Sequence, residues 1–194
     1  MTPRLPRLKI SAPTITFFLL LVLTDRSALS LLSVAAALCH EAGHLLVMLL
    51  CGCEVREVEI TMFGAEIRSL PAKTGWLGEI AILAAGGLAN LICVPIALLF
   101  DGKHAAFFAV CSAMLAVLNL LPVRTLDGGC ILSLLLARLT PTHAETILTV
   151  VSSVTLGLLW LAAGYLLLMS GGNLSLYLFC VYMFVTLYMR PSER

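Results

Sequence analysis

The stretch "LCHEAGHLLVMLLCG", residues 38–52, sets two imidazoles and a carboxylate into one of the most apolar parts of the chain: His40, Glu41 and His44. His40 and His44 are four residues apart. On a helix they differ by only about 40° around the axis and by one turn along it, so both point to one side. Two imidazoles on one face can hold Zn2+ at about 2.0–2.1 Å each. Glu41, beside them, is positioned to act as a base on a water at such a metal, which is the logic of the H-E-x-x-H pattern. With four His in 194 residues, a chance match has a probability of roughly 0.3%. An ionisable group inside a membrane span costs roughly 2.5 kcal/mol or more unless it faces a protein interior or a polar cavity, so three together call for a purpose.

A catalytic zinc usually takes three protein ligands and leaves one position open. No further histidine follows Glu41 at a suitable spacing, so the third ligand must come from elsewhere. Asp127, in "LDGG", is the outstanding acidic residue within an apolar region. Pro122 ahead of it interrupts a helix, and Gly128-Gly129 after it allow close backbone approach. The alternative is an aspartate that caps the helix beginning at Gly129.

These groups have to be carried by membrane-spanning elements. The chain is 60% hydrophobic and 12% charged, whereas a soluble domain is nearer half and a quarter. The expected fold is an all-α integral membrane protein, a single domain over 1–194. Its 194 residues leave room for about six transmembrane helices. The spans are expected at about 15–23, 28–50, 76–100, 105–139, 147–169 and 174–189, after an N-terminal tail over 1–13. The fourth is broken by "NLLPVRTLDGG". Residues 54–70 alternate polar and apolar and are rich in β-branched side chains, which predicts a short β-hairpin between spans two and three, turning near Phe63-Gly64. The basic start "MTPRLPRLK" is read as the flank of a first span or signal-anchor rather than as a cleaved leader.

Seven cysteines, mostly in apolar segments, behave as small apolar residues, and Cys51-Gly52-Cys53 lacks the C-x-x-C spacing of a redox or metal pair. A net charge of +1 argues against a nucleic-acid surface. Six spans with the N-terminus inside put nine basic residues on the cytoplasmic side and only Arg26 and Lys103 outside, as the positive-inside rule requires. Both termini are then cytoplasmic. His44 lies about 9–10 Å and Asp127 roughly 18 Å from the cytoplasmic ends of their helices at 1.5 Å per residue, so both belong to the cytoplasmic half of the membrane.

"HEAGH", "FGAEIR", "GGLAN" and "NLLPVRTLDGG", in this order, together resemble the site-2 protease family of intramembrane zinc metalloproteases, peptidase family M50. The likeness covers roughly residues 14–140. It is most similar to the minimal, sporulation-associated (stage IV sporulation protein) branch, although the nucleotide-sensing domain often found there is absent from this sequence. The resemblance implies that His40, His44 and Asp127 are zinc ligands and Glu41 the catalytic base. It implies that Asn119 helps hold substrate or polarise its carbonyl, and that Asn90 has a structural or substrate-contacting role. Phe63 and Gly64 stand where the hairpin would meet substrate. Two features depart from the family pattern: Arg124 stands where a second proline is common, and "GGLAN" replaces Gly-Pro-x-x-Asn. The function implied is cleavage of a membrane-tethered protein, such as an anti-sigma factor, a pro-sigma factor or a remnant signal peptide, near the cytoplasmic face of a bacterial cell membrane. The partners implied are that substrate, the lipid bilayer and a regulatory membrane protein, with no nucleic acid. The alternative is a zinc-binding membrane scaffold or transporter without proteolytic activity, which would need a path of polar residues across the spans.

Overall fold

A computed structural model describes residues 7–10, 15–16, 29–61, 64–69, 74–170 and 181. In chain order its elements are β1 (Arg7–Ile10), α1 (Leu29–Leu50), β2 (Val55–Thr61), β3 (Gly64–Ser69), α2 (Trp76–Ala97), α3 (Lys103–Asn119), α4 (Asp127–Leu139) and α5 (Ala144–Ser170). The chain divides into two compact units, Met1–Leu118 and Asn119–Arg194.

The fold is mostly helical, and among the described residues three helices are long and apolar enough to cross a membrane: Leu29–Leu50, Trp76–Ala97 and Ala144–Met169. These correspond to the expected second, third and fifth spans. Spans one and six fall almost wholly outside the described residues. Span four is two helices of 17 and 13 residues. At 1.5 Å per residue these reach about 26 and 20 Å, short of a hydrocarbon core of about 30 Å. The basic N-terminal stretch is also not simply the flank of a span. Arg7–Ile10 pair in parallel with Glu57–Ile60, and the Lys9 ammonium meets the Glu57 carboxylate at 2.9 Å. On its other side β2 pairs antiparallel with β3, so β2 is the central strand of the order β1-β2-β3.

In the first unit α1 is closed by a Schellman motif. The Cys53 amide donates to the Met48 carbonyl at 2.9 Å, and the Gly52 amide to Leu49 at 3.0 Å. Gly52 takes the left-handed conformation, φ 73°, which favours glycine at this position. Met48 and Cys53 are both buried beneath the turn. Burial pushes the Cys53 thiol above its ordinary pKa, and the neighbouring Cys51 adds to the shift; both cysteines are free. The inward face of α1 is small or polar (Ala36, His40, Gly43), while Leu38, Leu46, Leu49 and Leu50 are exposed. α2 repeats the pattern, with Ala85, Gly86, Gly87 and Asn90 buried and Leu77, Leu88, Leu91 and Ile92 outside. Polar and small groups inside with leucine outside is the arrangement expected of helices that pack closely in lipid. The two helices approach until a Cβ added to Gly43 would lie 2.6 Å from both the Ala85 carbonyl oxygen and the Ala89 Cβ. α3 joins α1 through Ser33 Oγ and Cys111 Sγ, 3.7 Å apart.

In the second unit the segment between Asn119 and Asp127 is not loose. Val123 and Leu126 pack on Leu156 of α5. Ser152, fully buried on α5, accepts the Arg124 amide at 3.0 Å and donates to the Pro122 carbonyl at 3.3 Å. A Cβ on Gly128 or Gly129 would run into the backbone of Leu120 or Val123. Here the glycines serve close approach, as the sequence suggested, and Pro122 leaves a carbonyl that Ser152 satisfies.

Candidate metal centre

The first unit builds a two-imidazole site from α1 and α2. His40 is buried and His44 partly so. Their Nε2 atoms face each other at 3.1 Å, with ring centroids 4.8 Å apart and planes at 81°. His44 Nδ1 lies 2.7 Å from the Ile82 carbonyl oxygen. A carbonyl only accepts, so Nδ1 carries the proton, and His44 Nε2 therefore presents a lone pair toward His40. This N–H to backbone carbonyl contact is the usual second partner of a metal-binding histidine.

His40 is flanked from α2 by Asn90, which is fully buried. Its Nδ2 lies 3.5 Å from His40 Nδ1, and its Oδ1 is buried with no hydrogen-bond partner. Gly86, one turn before Asn90, forms the floor. A Cβ there would land on His44 Nε2, 2.7 Å from His44 Cε1 and 2.8 Å from His40 Cε1. The imidazoles therefore rest directly on the α2 backbone.

The donor set suits zinc: two neutral imidazoles with their Nε2 atoms turned together, one with its far nitrogen already anchored, and a buried amide oxygen with nothing yet to accept. Glu41 follows His40 on α1 and is half-buried.

In the second unit Asp127 is half-buried and is itself the first residue of α4. The capping position belongs to Leu126, and no side-chain cap is formed. The reading of Asp127 as the cap is thus displaced by one residue. At the first helical position a carboxylate still profits from the helix dipole. Asn119 ends α3 and is half-buried. Gly64 opens β3, and Phe63 lies outside the described residues. Arg124, which stands where a second proline is common in the family it resembles, has its guanidinium paired with the Glu145 carboxylate.

The sequence reading missed Gly43; it took Gly86 only as part of a small-residue face beside Asn90, and Ser152 only as one of the few polar groups of the fifth span. The first two lie inside the quoted motifs "HEAGH" and "GGLAN", and their signal was the absence of a side chain rather than its chemistry. Ser152 gave no signal beyond being a hydroxyl in an apolar helix.

Two comparisons with known proteins bear on the chain. The profile of Peptidase family M50 matches residues 102–161, from the start of α3 into α5. The structure is similar to the site-2 protease from Methanocaldococcus jannaschii, with a TM-score of 0.58 over 96% of this chain and 92% of that one, at 20% sequence identity. At that identity the likeness defines the fold, a helical membrane fold of the site-2 protease kind. No curated protein matches the sequence.

Proposed function

We propose that the chain is an intramembrane zinc endopeptidase that cleaves a membrane-tethered protein. The observation that carries this reading is the pair of facing Nε2 atoms, 3.1 Å apart and followed at once by Glu41 in an apolar helix. The Peptidase family M50 profile over 102–161 supports it and spans the "NLLPVRTLDGG" stretch.

In this reading His40, His44 and Asp127 hold the zinc. The zinc, when bound, polarises the substrate carbonyl and makes a water acidic enough to attack near neutral pH. The Glu41 carboxylate takes the proton from the attacking water and delivers it to the leaving amide nitrogen. His44 is kept in its working tautomer by Ile82. The Asn119 side-chain amide donates to the substrate carbonyl oxygen as negative charge develops there. The leucine-covered outer faces of α1 and α2 keep bulk water off the imidazoles.

A substrate helix has its own carbonyls tied up internally and must unwind before attack. The sheet can receive the unwound strand by edge addition. β2 is paired on both sides, so the edge that serves is that of β3, beginning at Gly64, with Asn90 and Phe63 as further substrate-contacting candidates from the sequence. Proline scanned through Ala65–Ser69 is expected to lower cleavage at least about tenfold at alternate positions while zinc content stays unchanged; uniform activity across the scan would remove β3 from the reading.

The substrates that fit are anti-sigma factors, pro-sigma factors and remnant signal peptides. The setting that fits is a six-span protein of the sporulation-associated kind in a bacterial cell membrane, with cytoplasmic termini and a regulatory membrane partner. A scaffold or transporter is less well supported, because Ser152, a polar group on α5 that such a path would need, is engaged by Pro122 and Arg124.

The test is zinc content and cleavage of a tethered model substrate by the purified protein and by Asp127→Ala. Wild type should hold about one zinc and cut, and Asp127→Ala should lose both. A wild type that binds no zinc, or an Asp127→Ala that binds and cuts normally, would refute the assignment.

A further inference from the structure

Asn90 is the remaining polar group at the imidazole pair, and its surroundings are unusual. Among the described residues nothing donates to its Oδ1, although the residue is fully buried. Its only hydrogen-bonding neighbour among the contacts described is His40 Nδ1, which faces the amide nitrogen at 3.5 Å. In that orientation the protons form a self-consistent chain. Asn90 Nδ2–H donates to the His40 Nδ1 lone pair. His40 Nε2–H donates across 3.1 Å to His44 Nε2. His44 Nδ1–H donates to the Ile82 carbonyl. In this chain of described contacts the proton sits on the His40 nitrogen that a metal would need.

For His40 to ligate through Nε2, its proton must sit on Nδ1, and Nδ1 then needs an acceptor. A half-turn of the Asn90 amide supplies one, because the oxygen and nitrogen ends have nearly the same shape. No other partner holds Oδ1 in place, so no hydrogen bond is broken by the turn except the one it replaces.

We infer that Asn90 is the positioning residue of the metal site. It donates to His40 Nδ1 in the metal-free protein and, after its amide turns, accepts the Nδ1–H of His40 when a metal is held by Nε2. The inference rests on the endopeptidase reading only in that it takes His40 and His44 as ligands. It assigns Asn90 to the histidine rather than to substrate. The pairing also accounts for Gly86 and Asn90 standing one turn apart on α2: the first makes room for the rings and the second fixes one of them.

The experiment is Co2+ and Zn2+ affinity, by chelator competition, for the full chain and for Asn90→Leu and Asn90→Asp, with thermal unfolding of each metal-free protein alongside. Aspartate keeps an acceptor for Nδ1–H, whereas leucine keeps only the volume. Asn90→Leu should bind 10–100-fold more weakly, and Asn90→Asp should stay within a few-fold of wild type. A role confined to holding α1 against α2 predicts lower unfolding temperatures with unchanged affinity, and that result overturns the inference. So does an aspartate variant as weak as leucine. Should Asn90→Leu not fold, 15N spectra of the wild-type imidazoles decide. The His40 proton must move from Nε2 to Nδ1 on metal addition; ligation through Nδ1, or no change of tautomer, overturns the inference. A wild type that binds neither metal defeats the endopeptidase reading and this one together, whereas a wild type and Asn90→Leu of equal affinity defeat this one alone.

Discussion

Glu41→Gln is expected to lower the rate of cleavage by about 10²–10⁴-fold, the usual contribution of a positioned general base, and to leave zinc content unchanged. The two halves of this expectation have separate causes. Glutamine matches glutamate in size and keeps a hydrogen-bonding head, so α1 retains its packing, and His40 and His44 retain the 3.1 Å approach of their Nε2 atoms. What glutamine cannot do is take a proton from water near neutral pH. The measurement is single-turnover cleavage of a tethered substrate with the zinc content of the same preparation. Loss of metal together with loss of rate would make Glu41 a structural or ligating residue. A rate within a few-fold of wild type would leave the base to be found elsewhere.

How much of this was legible before the structure depends on the kind of information each element carries. α1 was legible at both ends, Leu29–Leu50 against an expected 28–50, because a run of leucine and alanine meets Cys51-Gly52, and glycine is favoured where the backbone turns left-handed. The pairing of His40 with His44 was legible because it depends only on helical period. β1 was not. Four residues carrying Arg7 and Lys9 look like a basic membrane flank, and their pairing with Glu57–Ile60 involves residues some fifty positions away. The break near Pro122 was legible from the missing amide proton. The position of Asp127 was off by one residue, since a carboxylate at the cap and one at the first helical position leave the same pattern in sequence. The broken fourth span follows from the same proline: Pro122 and the following turn divide residues 103–139 into two helices, Lys103–Asn119 and Asp127–Leu139.

The contacts between α1 and α2 were the least legible part, because they are made by atoms that are absent. Gly86 in "GGLAN" carries no chemistry of its own, yet Gly86→Ala is expected to be among the most damaging single changes in the protein. The added Cβ would clash with His44 Nε2 and lie 2.8 Å from His40 Cε1. Two responses are open. α1 and α2 could separate, but Gly43 already holds them so close that an added Cβ there would lie 2.6 Å from the Ala85 carbonyl, and opening one contact strips packing from the other. Alternatively the imidazoles rotate, which breaks the Nδ1–H bond of His44 to Ile82 and turns Nε2 away from its partner. Either way the metal site is lost: zinc affinity should fall by more than about 10²-fold, with destabilisation of about 1–3 kcal/mol from overpacking. Gly157→Ala supplies the control. That glycine is in the interior of α5 with open space around it, so alanine there should stabilise by roughly 0.5–1 kcal/mol through helix propensity and leave zinc binding alone. Paired zinc titrations and thermal melts of the two variants separate a local steric effect at the imidazoles from a general response to alanine in membrane helices. Equal zinc affinity in Gly86→Ala and wild type would mean that the rings do not rest on α2 as described.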